Sequence, residues 1–269
     1  MSLNRTDSGL ITTLLDAVAG GTLEIVDLTA PLSSATPTLK LPAPFVNLID
    51  FSLEAVSAFD DSGPFWKHNN IHTGEHIGTH VDAPAHWISG RDGDDVSQLP
   101  LTRLVAPAVV LDFSAQAAQD PDFVLEIDHV KAWEAEHGAL PDGGWLLLRT
   151  GWDKFAGDAD AFLNIDDGGS HTPGISAECA KWLGEETGIA GLGVETVGID
   201  AGNAGAFDPP FPVHYYLLGN NKYGVTLLQN LAQVPPTGAL IVVAPLKITG
   251  GTASPARVLA LVEHSLSPA

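Results

Sequence analysis

The 269-residue chain has one cysteine, Cys179, so no intrachain disulfide can form. That excludes a disulfide-stapled secreted scaffold and makes the cytoplasm the expected compartment. Cations are scarce, with 12 Lys and Arg against 33 Asp and Glu, a net charge of −21. A surface of that sign repels nucleic-acid phosphates and anionic membranes, so neither is an expected partner. No apolar run reaches the roughly 18 residues of a membrane span, and no charged-then-apolar leader opens the chain. Internal repeats, low-complexity segments and linkers are also missing, so residues 1–269 are expected to form a single domain. Apolar residues are plentiful, at 45% against 17% charged, which suits a globular enzyme with a buried core and excludes a disordered chain. The acidic stretches Arg91–Asp95 and Asn164–Asp167 read as solvated loops, and Cys179 as a core residue of a helix.

Hydrophobic periodicity mixes strands and helices along the whole chain, which gives an α/β fold class. Strands are expected over Thr22–Leu28, Val105–Phe113, Gly144–Arg149, Val197–Asp200 and Leu240–Ala244. The runs at Val105–Phe113 and Gly144–Arg149 are apolar without alternation, as in strands buried on both faces. Helices are expected over Gly9–Val18, over Asp128–His137 with Asp128 as cap, and over Ser176–Glu186. Pro255–Glu263 closes the chain as a helix or a strand, and Pro31–Pro44 is a proline-rich loop.

The densest chemistry lies in one string, His76-Ile77-Gly78-Thr79-His80-Val81-Asp82-Ala83-Pro84-Ala85-His86. Two imidazoles and a carboxylate are a usual ligand set for a catalytic divalent ion. His76 and His80 would meet on one face of a helix. Here, however, Gly74, Gly78, Thr79, Val81 and Pro84 all oppose one. The chain must therefore bend at Gly78 to bring the two rings together. His80 and Asp82 are two apart and share one face of an extended chain. His86 continues the alternation, placing a proton carrier beside the carboxylate. Glu75 and His72 just upstream either orient the ligands or are exposed loop residues, and the second reading is favoured. Phe65, Trp66 and Trp87 flank the string and could line an aromatic pocket, as could Phe207 and Phe211 before His214.

The string resembles the signature of the cyclase-like metal-dependent hydrolases, of the kynurenine formamidase and isatin hydrolase type. Further pieces follow in that family's order: Asp27-Leu28-Thr29-x-Pro31-Leu32, Leu148-Arg149-Thr150-Gly151-Trp152, Gly198-Ile199-Asp200, His214-Tyr215-x-Leu217-Leu218 and Gln229-Asn230-Leu231. The resemblance implies a central barrel-like mixed β-sheet with outer helices, and a homodimer or higher oligomer. It implies metal ligation by His76, His80 and Asp82, and an acid/base role for His86. It also implies a second metal position at His214 and at a glutamate whose place Gln229 takes here.

A neutral amide weakens a second dication beside the first. One divalent ion per chain, zinc or manganese, is therefore expected, with His214 and Gln229 left to contact substrate or an oxyanion. Leu39 stands where formamidases carry a tryptophan, which turns the substrate away from N-formylkynurenine and towards an isatin-like lactam. The expected chemistry is attack of metal-activated water on the carbonyl of a small, aromatic cyclic amide. A two-metal arylformamidase is the alternative. A non-catalytic, metal-stabilised binding module is a further one, although structural zinc sites are usually rich in cysteine.

Overall fold

The computed structural model describes residues 9–263. Seven strands close into a ring. In chain order they are β4 (His80–Asp82), β5 (Val105–Asp112), β6 (Trp145–Arg149), β7 (Gly191–Val194), β8 (Tyr223–Thr226), β9 (Ala239–Pro245) and β10 (Ala253–Glu263). Around the barrel the order is β4-β8-β7-β6-β5-β9-β10, and β10 pairs back onto β4. The contacts from β5 through β8 are parallel, and the others in the ring are antiparallel. β1 (Leu23–Asp27) lies outside the ring, against the last residues of β10.

The doubly buried strands read from the sequence follow from this closure. Val110, Leu147, Val225, Ile241 and Val258 point into the barrel with Val81. Val109, Leu111, Leu146, Leu148 and Leu192 point outward and are covered by Val130, Cys179 and Leu183. These last three lie on the outer helices α2 (Ile127–His137) and α3 (Ala177–Glu185). Each fully buried aliphatic side chain contributes roughly 2 kcal/mol, so the two shells together specify the ring.

Ser176 caps α3 by accepting from the Cys179 amide at 3.3 Å. At the other end Lys222 donates to the carbonyls of Leu183 at 2.5 Å and Thr187 at 2.8 Å. Burial of that ammonium pushes its pKa down to about 8. Cys179 is fully buried, and burial pushes its thiol up to about 12, which suits a packing role.

Several expectations change. α2 is capped by Glu126, whose own amide donates to His129 Nδ1 at 3.0 Å; Asp128 lies inside the first turn. Val197–Asp200 is a bend, and the strand lies just upstream at β7. β7 escapes the eye because it is half glycine. A Cβ on Gly191 would sit 2.7 Å from the Trp145 ring, and one on Gly193 2.7 Å from Leu147. Glycine therefore makes room inside the barrel for the large side chains of β6. Pro255–Glu263 resolves as strand, within β10.

Two elements stand off the barrel. Helix α1 (Leu10–Gly20) has no buried residue. β2 (Ser52–Ala58) and β3 (Lys67–His72) pair with each other as an antiparallel arm, with a bulge between Ala55 and Ser57, and only Ser57 is buried. Among the described residues no helix is long and apolar enough to cross a membrane.

Candidate metal centre

β4 is three residues long and buried throughout, held between β8 on one edge and β10 on the other. Val81 enters the barrel core, so His80 and Asp82 emerge together on the opposite face. Gly78 turns the preceding chain with φ +70°, as the bend required, and His76 swings back over Asp82. One donor atom from each of His76, His80 and Asp82 falls within 4.8 Å of the others.

The hydrogen bonds fix which atoms face the centre. His80 Nδ1 lies 2.7 Å from the Gly78 carbonyl, an acceptor only, so Nδ1 carries the proton and Nε2 is bare. Thr226 Oγ1 supports the same nitrogen at 3.0 Å. The Thr252 hydroxyl donates to Glu75 at 2.8 Å, so its oxygen accepts from His76 Nε2 at 3.2 Å. His76 Nδ1 is then bare as well, and faces Asp82 Oδ1 at 2.8 Å; His80 Nε2 lies 3.4 Å from the same oxygen. Three lone pairs thus converge.

Asp82 is fully buried, and its ion-pair partners are His76, His80 and His214, with no Lys or Arg among the described residues. A cation between a buried carboxylate and bare imidazole nitrogens would offset the cost of burying that charge. The donor set therefore fits a divalent metal ion.

His86 arrives differently from the expectation. It ends a 3-10 turn, Pro84–His86, rather than continuing the alternation of β4. Its ring centroid is 4.0 Å from that of His76 and 5.4 Å from that of His214. Burial pushes its pKa down to about 3 despite the opposing charge of Asp82. His214 opens a π-helical turn, and its Nε2 lies 3.9 Å from Asp82. Its Nδ1 is 2.5 Å from Asp200 Oδ2, and Asp200 also accepts from the amides of Val213 and His214. Burial would lower the pKa of His214, but Asp200 more than compensates and raises it.

Asp200 and Thr252 were not singled out from the sequence as site residues, although Asp200 belongs to a family-like piece. Glu75 is no idle loop residue, since it holds Thr252 behind His76; His72 is exposed and pairs with Glu54 on the arm. Trp87 packs against His214 and Phe211, with centroids 4.6 and 5.7 Å away. Phe65 and Trp66 lie at the tip of the arm, where their ring neighbours among the described residues are each other and His68. Among the described residues, no ring contact joins Phe207 to the histidines or to Trp87. The Gln229 amide donates to the Leu228 carbonyl and does not hydrogen-bond His214. A cleft of about 510 Å³, lined by Ile88–Gly93 with Leu218, Gly219 and Asn221, opens at the rim beside Trp87 rather than over the imidazoles.

The sequence matches the family model described as putative cyclase over residues 26–201, which include the whole 76–86 string. The chain belongs to the cyclase family. Among cyclase-family relatives, isatin hydrolase from Roseibium aggregatum is 46% identical over 265 residues, 97% of this chain and 99% of the relative. Kynurenine formamidase from Salinibacter ruber is 31% identical over 190 residues, 68% of this chain and 74% of the relative. The crystal structure of an isatin hydrolase bound to the product analogue thioisatinate superposes with a TM-score of 0.93 at 44% identity, covering 96% of this chain and all of the other. The closed mixed barrel with outer helices is the cyclase-family fold.

Proposed function

We propose that this protein is a metal-dependent amide hydrolase that opens the lactam ring of isatin or a closely related aromatic cyclic amide. The observation that carries this reading is near full-length similarity to isatin hydrolases in a chain that gathers two bare imidazole nitrogens and a buried carboxylate. His76 through Nδ1, His80 through Nε2 and Asp82 would hold one divalent ion, zinc or manganese. When bound, such an ion supplies Lewis acidity that activates water and polarises a carbonyl.

The chain's own residues do the rest. His86, a neutral imidazole beside His76, takes the proton of the attacking water as the new C–O bond forms. It returns that proton to the ring nitrogen as the C–N bond breaks, leaving an amine and a ring-opened carboxylic acid that releases the water's second proton to solvent and becomes the carboxylate. His214 is pinned through Nδ1 by Asp200, so its Nε2–H is aimed into the site, where it stabilises negative charge developing on the carbonyl oxygen. Trp87 and Phe211 give the substrate ring an aromatic wall beside His214. The engagement of Gln229 with Leu228 favours one ion over two. We also read the protein as a cytoplasmic homodimer.

The test is direct. Protein purified without chelator is assayed for metal content, and for loss of isatin absorbance beside N-formylkynurenine and a simple lactam. About one ion per chain and rapid turnover of isatin alone are expected. Preference for the formamide, with two ions per chain, would replace this reading by that of a formamidase.

A further inference from the structure

Away from the metal centre, His171 stands with both ring nitrogens against carboxylates. Nδ1 lies 2.8 and 3.0 Å from the two oxygens of Asp122, and Nε2 lies 3.2 Å from Asp166 Oδ1. A carboxylate only accepts, so both nitrogens donate and the ring is an imidazolium. The hydrogen bonds it donates to Asp122 and then Asp166 raise its pKa above the usual imidazole value. Asp122 lies on a turn before α2, and Asp166 on a small hairpin that pairs Ile165–Asp166 with Gly169–Ser170. The hairpin is exposed from Ile165 to Gly169, and burial begins at Thr172. His171 thus clasps an exposed excursion to the body of the protein, across 49 residues of chain.

The loop that carries Asp200 rests on the residues beside this clasp. The Gly202 amide donates to the Thr172 carbonyl at 2.9 Å. A Cβ on Gly202 would lie 2.5 Å from the Ser170 carbonyl oxygen, and one on Gly174 would lie 2.4 Å from the backbone of Ala201. The two backbones touch with no side chain between them, so a shift of one is passed to the other. The Gly174 amide also donates to the Phe123 carbonyl at 3.0 Å, one residue past Asp122. Two residues before Gly202 stands Asp200, which accepts from the Val213 and His214 amides and holds His214 Nδ1.

We propose that His171 is a positioning residue for His214, acting through Thr172, Gly202 and Asp200. With its charge in place, His171 draws Asp122 and Asp166 together, and Thr172 holds Gly202 where Asp200 can pin His214. A neutral ring donates from one nitrogen only. It then turns a lone pair towards one carboxylate, and the two carboxylates repel each other across it. The clasp loosens, and the slack reaches Asp200 through Gly202. Among the described residues the ion-pair partners of His171 are Asp122 and Asp166, on the turn and the hairpin packed against it. The histidine is the member of the three whose charge changes near neutral pH. The inference rests on the oxyanion role given to His214, and that role splits the kinetics. An oxyanion contact exists only in the transition state, so its misplacement lowers kcat and leaves KM. Metal content should not change, because the path ends on His214 rather than on His76, His80 or Asp82.

Three proteins and two readouts decide it. Wild type, His171→Gln and His171→Lys are assayed on isatin from about pH 6 to about pH 9. His171→Gln is neutral throughout, and its kcat should be roughly tenfold below wild type at the acid end, with KM and metal content unchanged. The ratio of wild-type to His171→Gln kcat cancels the titrations that both share. It should shrink towards one as pH climbs through the raised value of His171. His171→Lys keeps a cation between the two carboxylates, and should retain most of the wild-type kcat with a pH-independent ratio to His171→Gln. In the second readout, amide hydrogen exchange is followed at one pH below the His171 titration. The Val213 and His214 amides donate to Asp200, so both should exchange roughly tenfold faster in His171→Gln than in wild type, with Leu146 and Leu148 of β6 unchanged. A wild-type ratio independent of pH, His171→Lys no better than His171→Gln, or unchanged exchange at both amides overturns the proposal. Wild type inactive on isatin would instead overturn the functional reading and leave the exchange rates to judge the clasp.

Discussion

Replacing Glu195 by glutamine should make the fold less sensitive to alkali. Glu195 follows β7 and is fully buried. Its Oε2 accepts from the Thr150 amide at 2.7 Å, the Thr150 hydroxyl at 3.0 Å and the Trp152 amide at 3.1 Å, whereas Oε1 has no partner. Burial, assisted by the charge of Asp153, pushes its pKa from 4.5 up to about 7. A carboxyl raised on folding binds its proton more tightly in the native state. Its contribution to stability is therefore complete below the unfolded value and is lost as pH climbs through the folded one. The whole contribution is on the order of 3 kcal/mol, of which about 2 kcal/mol disappears between about pH 5.5 and about pH 8. Glu195→Gln keeps an acceptor for Thr150 and Trp152 and cannot ionise. Urea unfolding of both proteins at the two pH values, compared as a difference, cancels every other titrating group. The variant should gain about 2 kcal/mol on wild type from the lower to the higher pH. A difference independent of pH would show that Glu195 is ionised in the native protein and would refute the reasoning.

Other substitutions test the remaining links. His86→Ala should keep its metal and lose on the order of a hundredfold or more in kcat; near-normal turnover would remove His86 from proton transfer. Thr252→Val deletes the acceptor behind His76 Nε2 and should weaken metal affinity roughly ten- to a hundredfold in chelator competition; unchanged affinity would make the Glu75–Thr252 support irrelevant. Gly191→Ala places a methyl 2.7 Å from both the Trp145 ring and the Tyr223 carbonyl. It should cost roughly 1–3 kcal/mol in unfolding experiments, and a neutral result would mean that the barrel interior is not close-packed there.

The parts of the centre that lie within one short stretch were legible in the sequence. His76, His80 and Asp82 span seven residues, and the bend at Gly78 follows from sterics alone. The supports were hidden because they come from elsewhere in the chain: Thr252 is 176 residues from His76, and Asp200 reaches His214 across a loop. Periodicity located β5, β6 and β9, whose side chains are large and apolar. It missed β7, where the useful property is the absence of a side chain, and it extended the β4 alternation to His86 where Pro84 starts a turn. Nor does an apolar residue state which surface it will meet: Phe65 and Trp66, nominated for a pocket, have their ring contacts with each other and with His68 on the arm.

β10 is also a clock for biosynthesis. Its first residues are one of the two edges that hold His80 and Asp82, and the residue just before it holds His76. A ribosome adding about 5–20 residues per second leaves the histidine string without that frame for on the order of ten seconds after it emerges. Its other edge, β8, also arrives late. The nascent centre is thus a loose set of donors until the barrel shuts, and ions met earlier find no rigid geometry to select among them. On the metal-binding reading proposed above, occupancy is expected to follow closure of the ring.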